Sequence, residues 1–136
     1  MSNGAAVAVA LVFVWLGMVL GISFLEAPLK FRAPGVTLPI GLSIGRLVFR
    51  ALNAVEVVLA AGIAVALVVG DAGWVAFLVA AVALVVQLFA VRPALTRRSN
   101  AVLEGQDAPR SRAHYAYVGL EIIKVVALIA TGVALF

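Results

Sequence analysis

The apolar residues of this chain fall into four long runs separated by short polar or proline-bearing connections. A helix needs about 20 residues to cross roughly 30 Å of hydrocarbon. Ala5–Leu25, Ser43–Val69, Ala72–Val91 and His114–Phe136 all reach that length. The second run opens at the interface, so its full length overstates its buried part. The shorter alternating runs of a membrane β-barrel are absent. The pattern predicts an all-α, polytopic membrane protein with a single transmembrane domain over residues 1–136, an antiparallel bundle of four transmembrane helices.

The connections refine this picture. Glu26 to Leu42 holds Pro28, Pro34 and Pro39 with Gly35 and Gly41, which forbids a regular helix across it. Phe31, Val36, Leu38 and Ile40 make it unusually apolar, so it is expected to lie along the interface, with a re-entrant loop as the alternative. Gly70 and Asp71 form a tight hairpin, which makes the second and third helices antiparallel neighbours. Trp74, just beyond, suits the interfacial aromatic belt. Pro93 predicts a break or kink, followed by a short helix over Ala94–Glu104 that Gly105 stops. Pro109 and Arg110-Ser111-Arg112 lead into the last helix. Gly17 and Gly21 form a GxxxG pattern, which predicts a close helix–helix approach.

Composition strengthens the membrane reading. The chain of 136 residues is 65% hydrophobic and 12% charged, with a mean hydropathy of +1.22. A soluble domain is nearer half apolar and a quarter charged. The first run has no basic segment before it and is too long for the apolar part of a signal peptide, so it is expected to be a retained helix.

The net charge of +4 is dispersed, which is no nucleic-acid signal. Lys30, Arg32, Arg46 and Arg50 cluster around the first connection, and Arg92, Arg97, Arg98, Arg110 and Arg112 in the third. The N-terminus and the second connection carry no lysine or arginine. The positive-inside rule therefore places the first and third connections in the cytoplasm and both termini outside.

The remaining polar residues form a constellation. On a helical wheel Arg46, Arg50 and Asn53 fall at about 0°, 40° and −20°, with Glu56 about 60° further round and about 15 Å deeper than Arg46. In the fourth helix Tyr117, Glu121 and Lys124 fall at about 0°, 40° and −20°. Gln87 adds a polar group near the cytoplasmic end of the third helix, and Ser23 and Glu26 end the first helix at the same level. Matching depths predict Arg50–Glu121 and Glu56–Lys124 pairs, with Asn53, Tyr117 and Gln87 filling hydrogen-bonding vacancies. A charge buried alone costs several kcal/mol, and a paired, hydrogen-bonded set costs much less. The candidate intramembrane site is thus Arg46, Arg50, Asn53, Glu56, Gln87, Tyr117, Glu121 and Lys124. It is read either as a polar site open to the cytoplasm, binding an anion or relaying protons, or as a neutralised network that specifies helix packing.

Other chemistries find little support. There is no cysteine, so thiol catalysis, disulfides and thiolate metal sites are excluded. His114 is the single histidine, at a helix start, which excludes bis-histidine haem within one chain and leaves no expected metal or other cofactor. Nucleophile-elbow, Walker and dinucleotide-binding motifs are absent. No catalytic residue is assigned, and the pattern leans away from an enzyme.

Trp15-Leu16-Gly17, Ser23-Phe24, Pro28-x-x-Phe31, Gly45-Arg46-x-x-Phe49 with Asn53 and Glu56, and Tyr117-x-x-x-Glu121-x-x-Lys124 together span most of the chain. This pattern resembles a group of small four-helix bacterial inner-membrane proteins with no assigned function. The Trp-x-Gly opening is distantly similar to copper-resistance D-type membrane domains. Those lean on histidines within their helices, whereas His114 stands at a helix start.

Three functional classes follow. The first is a small oligomeric transporter or channel-like protein. The second is an accessory or scaffold subunit of a larger membrane complex. The third, least supported, is an enzyme acting on a lipid or quinone through Glu56, Glu121 or His114. The expected partners are membrane lipid and either further copies of the chain or a membrane complex. The topology has a direct check: a C-terminal alkaline phosphatase fusion should be active and a C-terminal green fluorescent protein fusion dark, and the reverse pattern would overturn the orientation.

Overall fold

Helices build every layer of the molecule, because each apolar run buries one stripe and leaves the rest of its surface apolar. The computed structural model describes residues 2–70, 74–106 and 112–136. Four helices are long and apolar enough to cross a membrane. They are α1 (Asn3–Lys30), α2 (Leu38–Gly70), α3 (Trp74–Leu103) and α4 (Arg112–Leu135). No strand occurs among the described residues. Of the hairpin expected at Gly70 and Asp71, Gly70 ends α2 and Asp71 lies outside the described residues, as does the run from Pro109 to Ser111.

Each helix runs past at least one of its expected ends, and two of the extensions have the same cause. A proline ring collides with the carbonyl four residues earlier in a regular α-helix. For Pro28 and Pro93 those residues are Phe24 and Phe89, and each lies in a wider π-helical stretch, Leu20–Glu26 in α1 and Gln87–Val91 in α3. Widening the turn re-aims the carbonyls and lets the helix continue. The break expected at Pro93 is therefore absent: Ala94–Glu104 is not a separate helix but the end of α3. Gly105, at φ +84°, does stop it. The first connection shrinks to a few residues after Lys30. Its turn uses Gly35 at φ +82°, and Thr37 caps α2, its Oγ1 accepting from Ile40 N at 3.4 Å. Pro39 sits in the first turn of α2, where its missing N–H matters little.

A few features of the first half of the chain recur in the second. Phe24-x-x-x-Pro28-x-x-x-Arg32 returns as Phe89-x-x-x-Pro93-x-x-x-Arg97, and Glu56 returns as Glu121, all at one offset of 65 residues. Burial follows the same offset. Val12, Trp15, Val19, Leu52, Glu56 and Ile63 are buried, and so are Phe77, Ala80, Leu84, Tyr117, Glu121 and Leu128.

Packing is inside-out relative to a soluble bundle. Glu56, Gln87, Glu121, Lys124 and Thr131 are buried, while Val58, Val68, Val75, Phe89 and Phe136 are each at least 70% exposed. Burial of apolar surface from water would favour the reverse, so this exterior suits a hydrocarbon surrounding. The apolar core joins Ala8, Val12, Trp15 and Val19 of α1 to Ile63 and Leu67 of α2, Phe77 and Leu84 of α3, and Leu128 of α4.

Helix α1 packs extensively on α2 and on α4, and α4 on α3. The expected neighbours α2 and α3 touch only sparsely along their apolar lengths and meet mainly where Arg92–Leu103 lies against α2. Helices α2 and α4 stand at opposite corners. The place beside α2 is taken by α1, whose Trp15 and Ser23 reach toward the buried carboxylates.

Gly17 and Gly21 do not mediate packing within the chain: a Cβ at either would meet no neighbouring atom within 4 Å. Close approach occurs elsewhere, with the Phe31 ring against Gly41, Leu11 against Gly62 and the Phe13 ring against Gly132. A Gly17→Ala, Gly21→Ala double variant should keep or slightly raise the thermal midpoint in detergent, since alanine is the better helix former by about 1 kcal/mol. A clear drop in the midpoint would place these glycines in a tight interface after all.

Candidate functional site

The site is built around the α4 lysine. Its ammonium must leave an apolar helix face to find an anion, and the long side chain lets it span the diagonal of the bundle. Lys124 Nζ forms an ion pair with Glu56 of α2 and a second with Glu121, one turn earlier on α4, at 2.5 Å. All three side chains are at most 2% exposed. The expected Glu56–Lys124 pair is thus present.

Each carboxylate has further donors. Trp15 Nε1 donates to Glu56 Oε2 at 2.7 Å. Gln87 Nε2 donates to Glu121 Oε1 at 2.8 Å and to the Tyr117 carbonyl at 3.3 Å. Ser23 Oγ donates to Glu121 Oε2 at 2.5 Å. Every helix contributes, with Trp15 and Ser23 from α1, Glu56 from α2, Gln87 from α3, and Glu121 and Lys124 from α4. Hydrogen bonds to charged groups are the stronger kind, each contributing about 1.5–3 kcal/mol.

Toward the Pro28 and Pro93 ends lies an aromatic–cation layer. Phe49 and Tyr117 pack edge to face at 5.8 Å. The Arg92 guanidinium stands 4.9 Å from the Tyr117 ring centre and 5.4 Å from that of Phe49. Lys30 lies 5.7 Å from the Phe49 ring centre and 3.7 Å from Glu26. A cation over a ring face is stabilised by about 0.5–2 kcal/mol.

Six of the eight expected site residues are buried together here: Asn53, Glu56, Gln87, Tyr117, Glu121 and Lys124. The two arginines are not among them. Arg46 and Arg50 are exposed. Arg46 donates to Asn100 Oδ1 at 2.6 Å and so ties the start of α2 to the end of α3. Glu121 pairs with Lys124, not with the expected Arg50. The physical reason is angular, because Arg50 lies about 120° round the helix from Glu56.

Three contributors fell outside the expected set. Trp15 was legible only through pairing α1 with α2, since indole is not a group that charge counting singles out. Ser23 stands at the right level, but a lone serine near a helix end carries no charge signal. Arg92 falls in a connection on the sequence pattern, because the apolar run ends at Val91 and Pro93 predicts a break or kink.

The layer is closed. The oxygens Asn53 Oδ1, Glu56 Oε1 and Gln87 Oε1 are buried. A concavity of about 180 Å³ lined by Leu20, Phe24, Ile122 and Val125 is wholly apolar and separate from these groups. His114 is half-buried at the start of α4, its ring edge-on to Tyr115 at 5.4 Å.

The chain matches no family model, and no curated protein or solved structure is significantly similar to it.

Removing one partner of a buried ion pair is destabilising by about 3–5 kcal/mol. Lys124→Met, which leaves two buried carboxylates without their ammonium, should therefore lower stability by that order. Trp15→Phe keeps the packing and removes one charged hydrogen bond, so it should cost about 1.5–3 kcal/mol. Chemical denaturation in mild detergent measures both, and equal losses would contradict the central place of Lys124.

Proposed function

We propose that this chain is a multi-pass protein of a bacterial inner membrane, with both termini outside the cytoplasm, that acts as a small oligomeric transporter or channel-like protein. Its working site is the polar layer around Lys124. The observation that carries this reading is the sealed set of Glu56, Lys124 and Glu121, at most 2% exposed, on helices able to span a membrane. Ionisable groups within membrane spans are costly and by default mark ion or proton paths.

The antiparallel arrangement assumed here is supported by neighbours that run in opposite directions along the chain. Leu11 meets Gly62, Trp15 meets Glu56, and Lys30 meets Gly45. The orientation is supported by the lysines and arginines around the first and third connections. Four helices enclose little volume, so passage of a solute would use an interface between copies. The closed layer then corresponds to an occluded state, and the sparse contact between α2 and α3 marks where it would open.

A second reading is favoured by a different observation. All four helices hydrogen-bond or ion-pair into the one layer, which is how a polar core fixes helix packing in an accessory subunit of a larger complex. Glu56→Gln separates the two. In proteoliposomes, the wild-type protein should dissipate a gradient of at least one of H⁺, Na⁺, K⁺ or Cl⁻. The variant should keep its fold and elution volume and lose that flux. No flux from the wild-type protein, with loss of folding in the variant, would leave the accessory-subunit reading standing.

A further inference from the structure

The set of Glu56, Glu121 and Lys124 is short of one positive charge, and Arg92 Nε and Nη2 and the Tyr117 hydroxyl are buried without partners of their own among the described residues. Glu56 and Glu121 share a single ammonium. With all three groups ionised the set carries one net negative charge inside a sealed, low-dielectric layer, where an uncompensated charge is costly.

The distribution of donors shows where the imbalance falls. Both oxygens of Glu121 accept hydrogen bonds, from Gln87 and from Ser23. Glu56 is one-sided. Trp15 and Lys124 both act on Oε2, while Oε1 is buried with no donor among the described residues. Asn53 Oδ1 and Gln87 Oε1 are buried and partnerless in the same way. All three are acceptors. Asn53 sits one helical turn before Glu56 on the same face, within side-chain reach.

Partnerless acceptors call for a donor or a cation, and their burial selects among the candidates. These oxygens have essentially no accessible surface, so nothing of the size of water or larger touches them. The carboxylates also have no third histidine, cysteine, aspartate or glutamate beside them to complete a metal site among the described residues. A proton is the cation that fits.

We infer that this layer binds a proton, held as the carboxylic acid of Glu56 with the hydrogen on Oε1 and directed at Asn53. One proton added to Oε1 converts carboxylate, ammonium and carboxylate into acid, ammonium and carboxylate, a neutral set. Glu121 has no such open oxygen, because Gln87, Ser23 and Lys124 between them act on both of its oxygens. The facing groups agree from every element: Trp15 and Ser23 on α1 are neutral donors, Gln87 on α3 is neutral, and Tyr117 on α4 is a neutral phenol. Two further cations stand nearby: Lys30 on α1, which pairs with Glu26, and Arg92 on α3, which lies over the Phe49 and Tyr117 rings without a carboxylate partner among the described residues. As a bound proton this rests on the geometry alone. As the ion that the protein moves or couples to, it rests on the transport reading above.

Infrared spectroscopy tests the bound proton without any flux. Purified protein in lipid at neutral pH should show a protonated-carboxyl C=O band that shifts slightly in D₂O. Glu56→Gln should remove the band and Glu121→Gln should keep it. Asn53→Leu should keep the band and move it to higher frequency, because the acid loses its acceptor. Since that variant leaves Glu56 in place, it reads the assignment even if Glu56→Gln folds poorly. The absence of a band in the wild-type protein, its loss in Glu121→Gln, or an unmoved band in Asn53→Leu would overturn the inference. A band present in a protein that carries no flux would overturn the transport reading and leave the proton in place.

Discussion

One ammonium shared by two buried carboxylates is the constraint on which the arrangement of helices depends. Lys124 cannot leave its carboxylates without stranding charges in a medium that does not solvate them. Glu56 and Glu121 lie on different helices, so this one contact fixes how far apart α2 and α4 stand. It also fixes the axial register between them, because a slip of one turn would carry Glu56 about 5.4 Å out of reach. Trp15 and Ser23 then set α1 against both, and Gln87 brings in α3. Apolar packing alone is a weak source of specificity between helices in lipid, since lipid tails are as apolar as leucine. The polar layer supplies what apolar packing lacks.

Much of this was legible because helical periodicity is rigid. Tyr117, Glu121 and Lys124 had to share a face, and Glu56 and Lys124 had to reach similar depth. Arg46 and Arg50 were misplaced for a reason the same geometry explains. The two arginines mark a stripe about Arg46, whereas the buried stripe of α2 is centred on Leu52, Asn53 and Glu56. A long arginine near a helix end can carry its charge outward along the surface, so grouping residues by charge gave the wrong centre. Burial of Trp15 against Glu56 was invisible to the same method, because an indole N–H is a donor that hydropathy counts as apolar.

The proline positions show where local rules mislead. Pro93 in an isolated stretch reads as a helix end, and Pro28 as part of a loop. Both are tolerated because the preceding turns widen, and the cost of widening is offset where the surrounding helices already hold the backbone. The two sites stand 65 residues apart, as do Glu56 and Glu121. Read as a pair, the two Phe-x-x-x-Pro-x-x-x-Arg segments would have shown that whatever happens at Pro28 also happens at Pro93.

That repeat bears on why the layer is unbalanced. The recurrence brings one glutamate from each half to the centre, but their surroundings are not equivalent. The position of Lys124 is Leu59 in the first half, that of Trp15 is Ala80 in the second, and that of Gln87 is Ile22 in the first. A strictly symmetric pair of halves would carry two lysines or none, and its charges would either cancel or repel. Having one lysine leaves the carboxylates unequal: Glu121 is surrounded by donors, and Glu56 has an oxygen with none. Repetition brings the two acids to the centre, and departure from repetition leaves one of them, Glu56, with an oxygen to which no described group donates.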